Sequence, residues 1–123
     1  MDNVALAHAV YDAAQAGDQA LFLSYFAPDC VVWHNFDQVE QPIKEAAAAL
    51  AAMAQHFSSL TYEERRYIPA PDGAVIQHVS RATLKDGRTV SIPTMQRMYI
   101  SNGRIRRIEE YFDTRAASAA MGG

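Results

Sequence analysis

The 123-residue chain has one cysteine, Cys30, so it can form no internal disulfide. A lone thiol before the apolar pair Val31-Val32 is expected to be buried and inert, in a reducing compartment. No long hydrophobic run is present: the longest, Ala46 to Ala54, falls well short of the ~20 residues that span a bilayer. Met1-Asp2-Asn3 also lacks the basic and apolar segments of a secretory signal. The expected location is therefore the cytoplasm, with no membrane partner. Basic residues are outnumbered, 11 Lys and Arg against 14 Asp and Glu for a net charge of −3, which argues against nucleic acid as a partner. Arg65-Arg66 and the group Arg104, Arg106 and Arg107 lie beside Glu63, Glu64, Glu109 and Glu110, and read as paired or solvated side chains. No two of the 4 histidines stand four apart, and Cys30 has no partner at ligand spacing, so no metal site is expected. Without a glycine-rich phosphate loop, a nucleophile elbow or a Cys-His pair, neither a cofactor nor covalent catalysis is expected.

What remains is the composition of an ordinary globular protein, 50% hydrophobic and 20% charged. Asp2 or Asn3 can cap a first helix in which Val4, Ala7, Tyr11 and Ala14 recur at helical spacing, ended by Gly17. Asp18 can cap a second, with Leu21, Phe22, Tyr25 and Phe26 on one side and Pro28-Asp29 as its stop. Cys30 to Phe36 is β-branched and aromatic and reads as a strand, followed by a polar loop from Asp37 to Gln41. Pro42 starts a long helix through Ile43, Ala46, Ala47, Leu50, Met53, Ala54 and Phe57. Four strands follow, Leu60 to Ile68, Ala74 to Leu84, Thr89 to Ile100 and Arg104 to Asp113. The turns Lys85-Asp86-Gly87 and Ser101-Asn102-Gly103 between them predict a meander, because tight hairpins need positive φ. The expected fold is α+β: three N-terminal helices packed on a curved, mainly antiparallel sheet that forms a cone-shaped pocket. One domain is expected over residues 1–115, with 116–123 a frayed tail or a short helical turn.

This order of elements resembles the nuclear transport factor 2-like superfamily. The resemblance is strongest to its SnoaL-like polyketide cyclase and limonene-epoxide hydrolase branches, with a ketosteroid isomerase-like branch beside them. The local marks are Val32-Trp33-His34-Asn35 and Asn102-Gly103-Arg104-Ile105 leading to Glu109-Glu110-Tyr111-Phe112-Asp113. In the epoxide hydrolase branch a tyrosine and an asparagine stand two apart on the first strand, and an aspartate stands on the last. Trp33, Asn35 and Glu110 occupy those positions here. That branch's middle-strand arginine and aspartate fall on Gln77 and Val79 or on Arg81 and Thr83, so at most the arginine is kept. The resemblance also implies a homodimer through the sheet face.

Strand alternation supplies its own assignment. If Ile108 and Phe112 face the core, so does Glu110, a carboxylate whose apolar neighbours would suit it to general acid or base work. Trp33 and Asn35 share a face with Val31, expected to look inward as a flat wall and an orienting amide. Tyr11, Met53, Phe57, Arg81, Thr94, Gln96, Met98, Ile108 and Phe112 are the expected ligand-binding residues around the catalytic pair Glu110 and Asn35. His34 falls on the face opposite Trp33, and His78 reaches the pocket only if its strand is read in the other register. On the outward side Met95, Arg97 and Tyr99 suit an isologous dimer interface. The function read from these residues is a pocket for a small apolar organic ligand, either a cofactor-free isomerase, cyclase or hydrolase or a non-catalytic ligand-binding or dimerisation module.

Overall fold

The structure, a computed structural model, describes residues 1–120. Helix α1 (Asn3–Ala16) is capped by the Asp2 carboxylate, which accepts from the Ala5 N–H at 2.7 Å, and ends at Gly17 with φ 74°. Helix α2 (Gln19–Ser24) starts at Asp18, whose carboxylate accepts from the Leu21 N–H. Strand β1 (Phe26–His34) begins four residues before Cys30, where a strand was expected to start. Pro28 fits inside it because the ladder to the neighbouring strand is interrupted between Phe26 and Val31, so no partner needs the missing N–H.

The loop expected after β1 contains a short strand, β2 (Glu40–Pro42), paired antiparallel to it. Helix α3 (Ile43–Ala54) follows, and Phe57, expected to close that helix, is instead the first residue of β3 (Phe57–Ala70). Strands β4 (Gly73–Leu84), β5 (Thr89–Ser101) and β6 (Arg104–Phe112) complete the meander that the turn residues predicted. The sheet is mixed: its six strands run β2-β1-β6-β5-β4-β3, and only the β1–β6 pair is parallel. Of the two alternatives expected for the tail, the helical one is found over Thr114–Ala120, a short helix, α4, with Ala120 buried on the sheet. The Asp113 carboxylate caps it, accepting from the Arg115 and Ala116 N–H groups. The rest of the expected tail, residues 121–123, lies outside the described residues.

The core is two clusters rather than one. The larger gathers Leu6, Val10 and Tyr11 of α1 with Val32, Ile76, Met98, Ile105 and Ile108. The smaller gathers Phe57, Ala82 and Ala120 with Met53, Leu60, Val90 and Ile92. Close approach inside the larger cluster requires Gly73, where an added Cβ would stand 1.9 Å from the Met98 carbonyl oxygen.

Strand β3 carries a bulge between Glu63 and Arg66, with Glu64 at φ 55°. Its extra residue explains how Tyr62 and Tyr67, five apart, both pack on the helix side of a strand that otherwise alternates.

Candidate functional site

On the helix-facing side of the sheet, polar side chains lie between the two apolar clusters. In β4 the inward residues run Ala74, Ile76, His78, Ser80, Ala82. In β5 they run Ile100, Met98, Gln96, Thr94, Ile92. The strand pairings place His78 beside Thr94 and Thr94 beside Phe112, while Gln96 lies beside Glu110 and Glu110 beside His34. A polar belt therefore steps across four strands in two adjacent rows, His34, Glu110 and Gln96 in one and Thr94 and His78 in the next, with apolar side chains on both sides of it.

The belt has an anion near one end. Glu110 accepts a hydrogen bond from the Gln96 side-chain amide on Oε2, and the His34 Nε2 lies 3.6 Å from its Oε1. That distance is too long for a hydrogen bond, so Oε1 keeps its acceptor capacity. Both Glu110 and His34 are 21% exposed, and the rings of Phe36 and Phe112 flank them.

The other end is buried and unsatisfied. Tyr11 and His78 are 4% and 5% exposed and meet edge to face at 4.9 Å, with Tyr62 edge-on to both. The Tyr11 hydroxyl, both His78 nitrogens and the Gln96 side-chain oxygen have no hydrogen-bond partner among the described residues. Such orphaned groups are rare in native interiors, because an unpaired buried polar atom costs about 1–3 kcal/mol. Burial, followed by the charge of Arg65, pushes the His78 imidazole down to about 4, so it is neutral at physiological pH. One of its nitrogens then donates and the other accepts. Burial, and after it the Glu110 charge, raises Tyr11 well above the usual phenol value and pushes Tyr62 up to about 12. Both phenols are protonated donors.

Of the residues expected in the pocket, Tyr11, Thr94, Gln96, Met98, Ile108, Glu110 and Phe112 do share the inward side. Met53 and Phe57 are inward but belong to the smaller cluster, beyond the belt. Arg81 is not inward: it sits on the outer side, bound to Glu63 and Glu64. Trp33 is also outside, 5.2 Å from the ring of Tyr111, because Cys30, Val32 and His34 take the inward phase of β1. Both phases of Cys30 to Asn35 are largely apolar, so alternation alone could not choose between them. Asn35 spends its amide on the backbone: its Nδ2 donates to the Phe112 carbonyl and its Oδ1 accepts from the Phe112 N–H. These bonds extend the β1–β6 ladder past its last pair.

Tyr62 was not expected at the site; His34, expected on the face opposite the pocket, is inward, and the register that turns His78 inward is the one found. A signal for His78 was present, since the odd phase of β4 carries Gln77 and Arg81 while the even phase carries no charge. Cys30 is buried and its thiol is pushed up to about 11, by burial before any neighbouring charge, as befits an inert group. Among the described residues no cluster of three His, Cys, Asp or Glu could hold a metal ion, and no helix is long and apolar enough to cross a membrane. A cleft of about 90 Å³ between α1, α2, α3 and β3, walled by Ala13, Ala47, Ala51 and Phe22, ends on Tyr62 beside the belt.

The family model described as a SnoaL-like domain matches residues 7–108. A search of curated proteins finds no match. Among solved structures, a candidate polyketide cyclase from Pseudomonas putida superposes with a TM-score of 0.84 at 21% identity, covering 98% of each chain. IdmH from Streptomyces antibioticus, another candidate polyketide cyclase, gives 0.87 at 16% identity over 100% of each chain. TerC, crystallised together with polyporic acid, gives 0.84 at 20% identity over 98% of each chain. At these identities the likeness speaks for the shared fold.

Proposed function

The chain belongs to the SnoaL-like domain family, and from that premise we propose that it is a cofactor-free enzyme acting on a small, largely apolar organic carbonyl compound, with Glu110 as the proton-transferring base. One observation carries the reading: buried polar atoms of Tyr11, His78 and Gln96 without partners among the described residues share the interior with a carboxylate that Gln96 itself contacts. A ligand oxygen would satisfy what the protein leaves open.

The chemistry follows from the parts. Glu110 takes a proton from a carbon next to the carbonyl on its free oxygen, and the electron pair moves onto the carbonyl oxygen. The neutral hydrogen-bond donors Tyr11 and His78 stabilise that oxyanion, in a site apolar on both sides. Returning the proton at another carbon is an isomerisation; attack of the new carbanion on a second carbonyl of the same molecule closes a ring. The orienting role expected of Asn35 passes to Gln96 and Tyr11, since both ends of the Asn35 amide are occupied. The cleft at Tyr62, about 90 Å³, is smaller than the roughly 300 Å³ at which drug-sized sites begin. Binding would therefore part α3 from α1. On the outer face Met95 and Tyr111 are exposed, with Trp33 packed on Tyr111, and this is the surface through which a homodimer would form.

Solvent exchange is the test. With 1-tetralone as a bicyclic ketone in heavy water, the wild type should catalyse deuterium incorporation next to the carbonyl. Glu110→Gln should lose about 10²–10⁴-fold of that rate, the usual share of a general base. Unchanged exchange in Glu110→Gln refutes the assignment of the base. Binding without exchange in the wild type would identify a ligand-binding module.

A further inference from the structure

The bulge in β3 is the irregularity that the fold itself does not use up. Regular alternation from Tyr62 would put Glu64 inward and Arg65 outward. The extra residue reverses this: Glu64, at φ 55°, joins Glu63 on Arg81, and Arg65 turns to the helix side. A non-glycine residue with positive φ is strained and persists where its surroundings hold it. Here Arg65 supplies the hold. Its side chain is 13% exposed and makes three bonds: Nε donates to the Tyr62 carbonyl at 2.8 Å, one terminal nitrogen to Asp12 at 2.7 Å, the other to Gln15 at 3.1 Å. Gln15 in turn accepts from the Tyr62 N–H at 2.8 Å. Asp12 follows Tyr11 in the chain, and the guanidinium carbon lies 5.8 Å from the centre of the Tyr11 ring.

We propose that the Glu64–Arg65 bulge is a positioning device for the interior site: the Arg65 fork fixes α1 to β3 so that Tyr11 and His78 stand ready to donate to the oxygen of a bound ligand. This rests on the proposed carbonyl site and deepens it. Arg65 touches no ligand; it acts through Tyr11. The planar fork matters more than the charge, because it engages a backbone carbonyl, a carboxylate and an amide at once, which an ammonium group cannot do in one geometry. The charge has an effect of its own, since Arg65 is the second cause that keeps His78 neutral. Around that imidazole stand Tyr11 from α1, Tyr62 from β3 and Thr94 from β5, none of them charged at neutral pH.

Two readouts test the device separately from the site. The first is the NMR titration of His78, which needs no ligand. Arg65→Lys, which keeps the charge but not the fork, should move its midpoint upward from about 4 as the cover of Tyr11 over the imidazole loosens, and an unmoved midpoint overturns the positioning claim. The second is the calorimetric affinity for 1-tetralone. Tyr11→Phe and Arg65→Met should each weaken it by about tenfold, the equivalent of one hydrogen bond. The double variant should be no weaker than Tyr11→Phe alone, because both changes remove the same interaction. Multiplying effects would overturn the claim that Arg65 acts through Tyr11. Arg65→Lys should bind like Arg65→Met, and full rescue by lysine would refute the role of the fork. Glu64→Gly keeps the backbone conformation and should leave both readouts unchanged, whereas Glu64→Ile should reproduce Arg65→Lys. If His78 responds to Arg65→Lys while Tyr11→Phe binds 1-tetralone as the wild type does, the carbonyl site is refuted and not the clamp. A wild type that binds no 1-tetralone overturns both.

Discussion

Replacing His78 by leucine should leave the protein about as stable at pH 7.5 and make it markedly more resistant to acid. His78 is 5% exposed and neither nitrogen is bonded among the described residues, so removing it deletes a buried unsatisfied group. Such a change toward an apolar side chain of similar volume is close to neutral, within about 1 kcal/mol. The acid effect comes from the displaced titration, from 6.5 down to about 4 in the folded chain. Between those values the unfolded chain binds a proton that the folded chain does not. The stability held by the neutral imidazole is therefore complete above pH 6.5 and drains away as pH falls toward 4. At 1.36 kcal/mol per pH unit the whole shift is worth about 3 kcal/mol, of which about 2 is lost by pH 5. Against a typical stability of 5–15 kcal/mol this is a large share. Urea unfolding followed by circular dichroism from pH 7.5 to 5.0 measures it. With a slope of about 2 kcal/mol per molar urea, the wild-type midpoint should fall about 1 M further than that of His78→Leu. The other histidines and the carboxylates are common to both proteins and cancel in the difference. Parallel midpoint curves would refute the buried neutral imidazole.

Two further outcomes separate structural from functional roles. Asn35→Ala should lower stability by about 1–2 kcal/mol, because it strips both a donor and an acceptor from the Phe112 backbone. Thermal unfolding reads the loss, and unchanged stability with lost 1-tetralone binding would return Asn35 to the ligand. Met95, 41% exposed on the outer face, should be a dimer contact, so Met95→Glu should sediment as a monomer where the wild type sediments as a dimer. A monomeric wild type ends that proposal.

The elements that were legible in the sequence are those whose signals are local. Asp2, Gly17 and Asp18 mark helix ends by side-chain caps and positive φ, and Gly87 and Gly103 sit in the hairpin turns with φ 93° and 73°. Glu110 was placed inward because Ile108 and Phe112 frame it in a strand whose two phases differ in character. Strand β1 defeated the same reasoning, since Val31 and Trp33 are as apolar as Cys30 and Val32. Only the packing of α2 and α3 on one side decides which phase is buried there. The start of β3 at Phe57 was hidden for a related reason: Met53 and Phe57 are four apart, a spacing that fits a helix until the chain turns.

The sequence by itself determined the α+β architecture, the meander and the inward carboxylate, because caps, turn glycines and strand periodicity act over a few residues and need no partner. The tertiary structure decided what surrounds that carboxylate. The bulge at Glu64 changes the phase of β3 midway, bringing Tyr62, Tyr67 and Arg65 to the helix side, and no local periodicity survives such a shift. The pairing of Tyr11 with His78, with no hydrogen-bond partner for either among the described residues, depends on strands and a helix far apart in sequence.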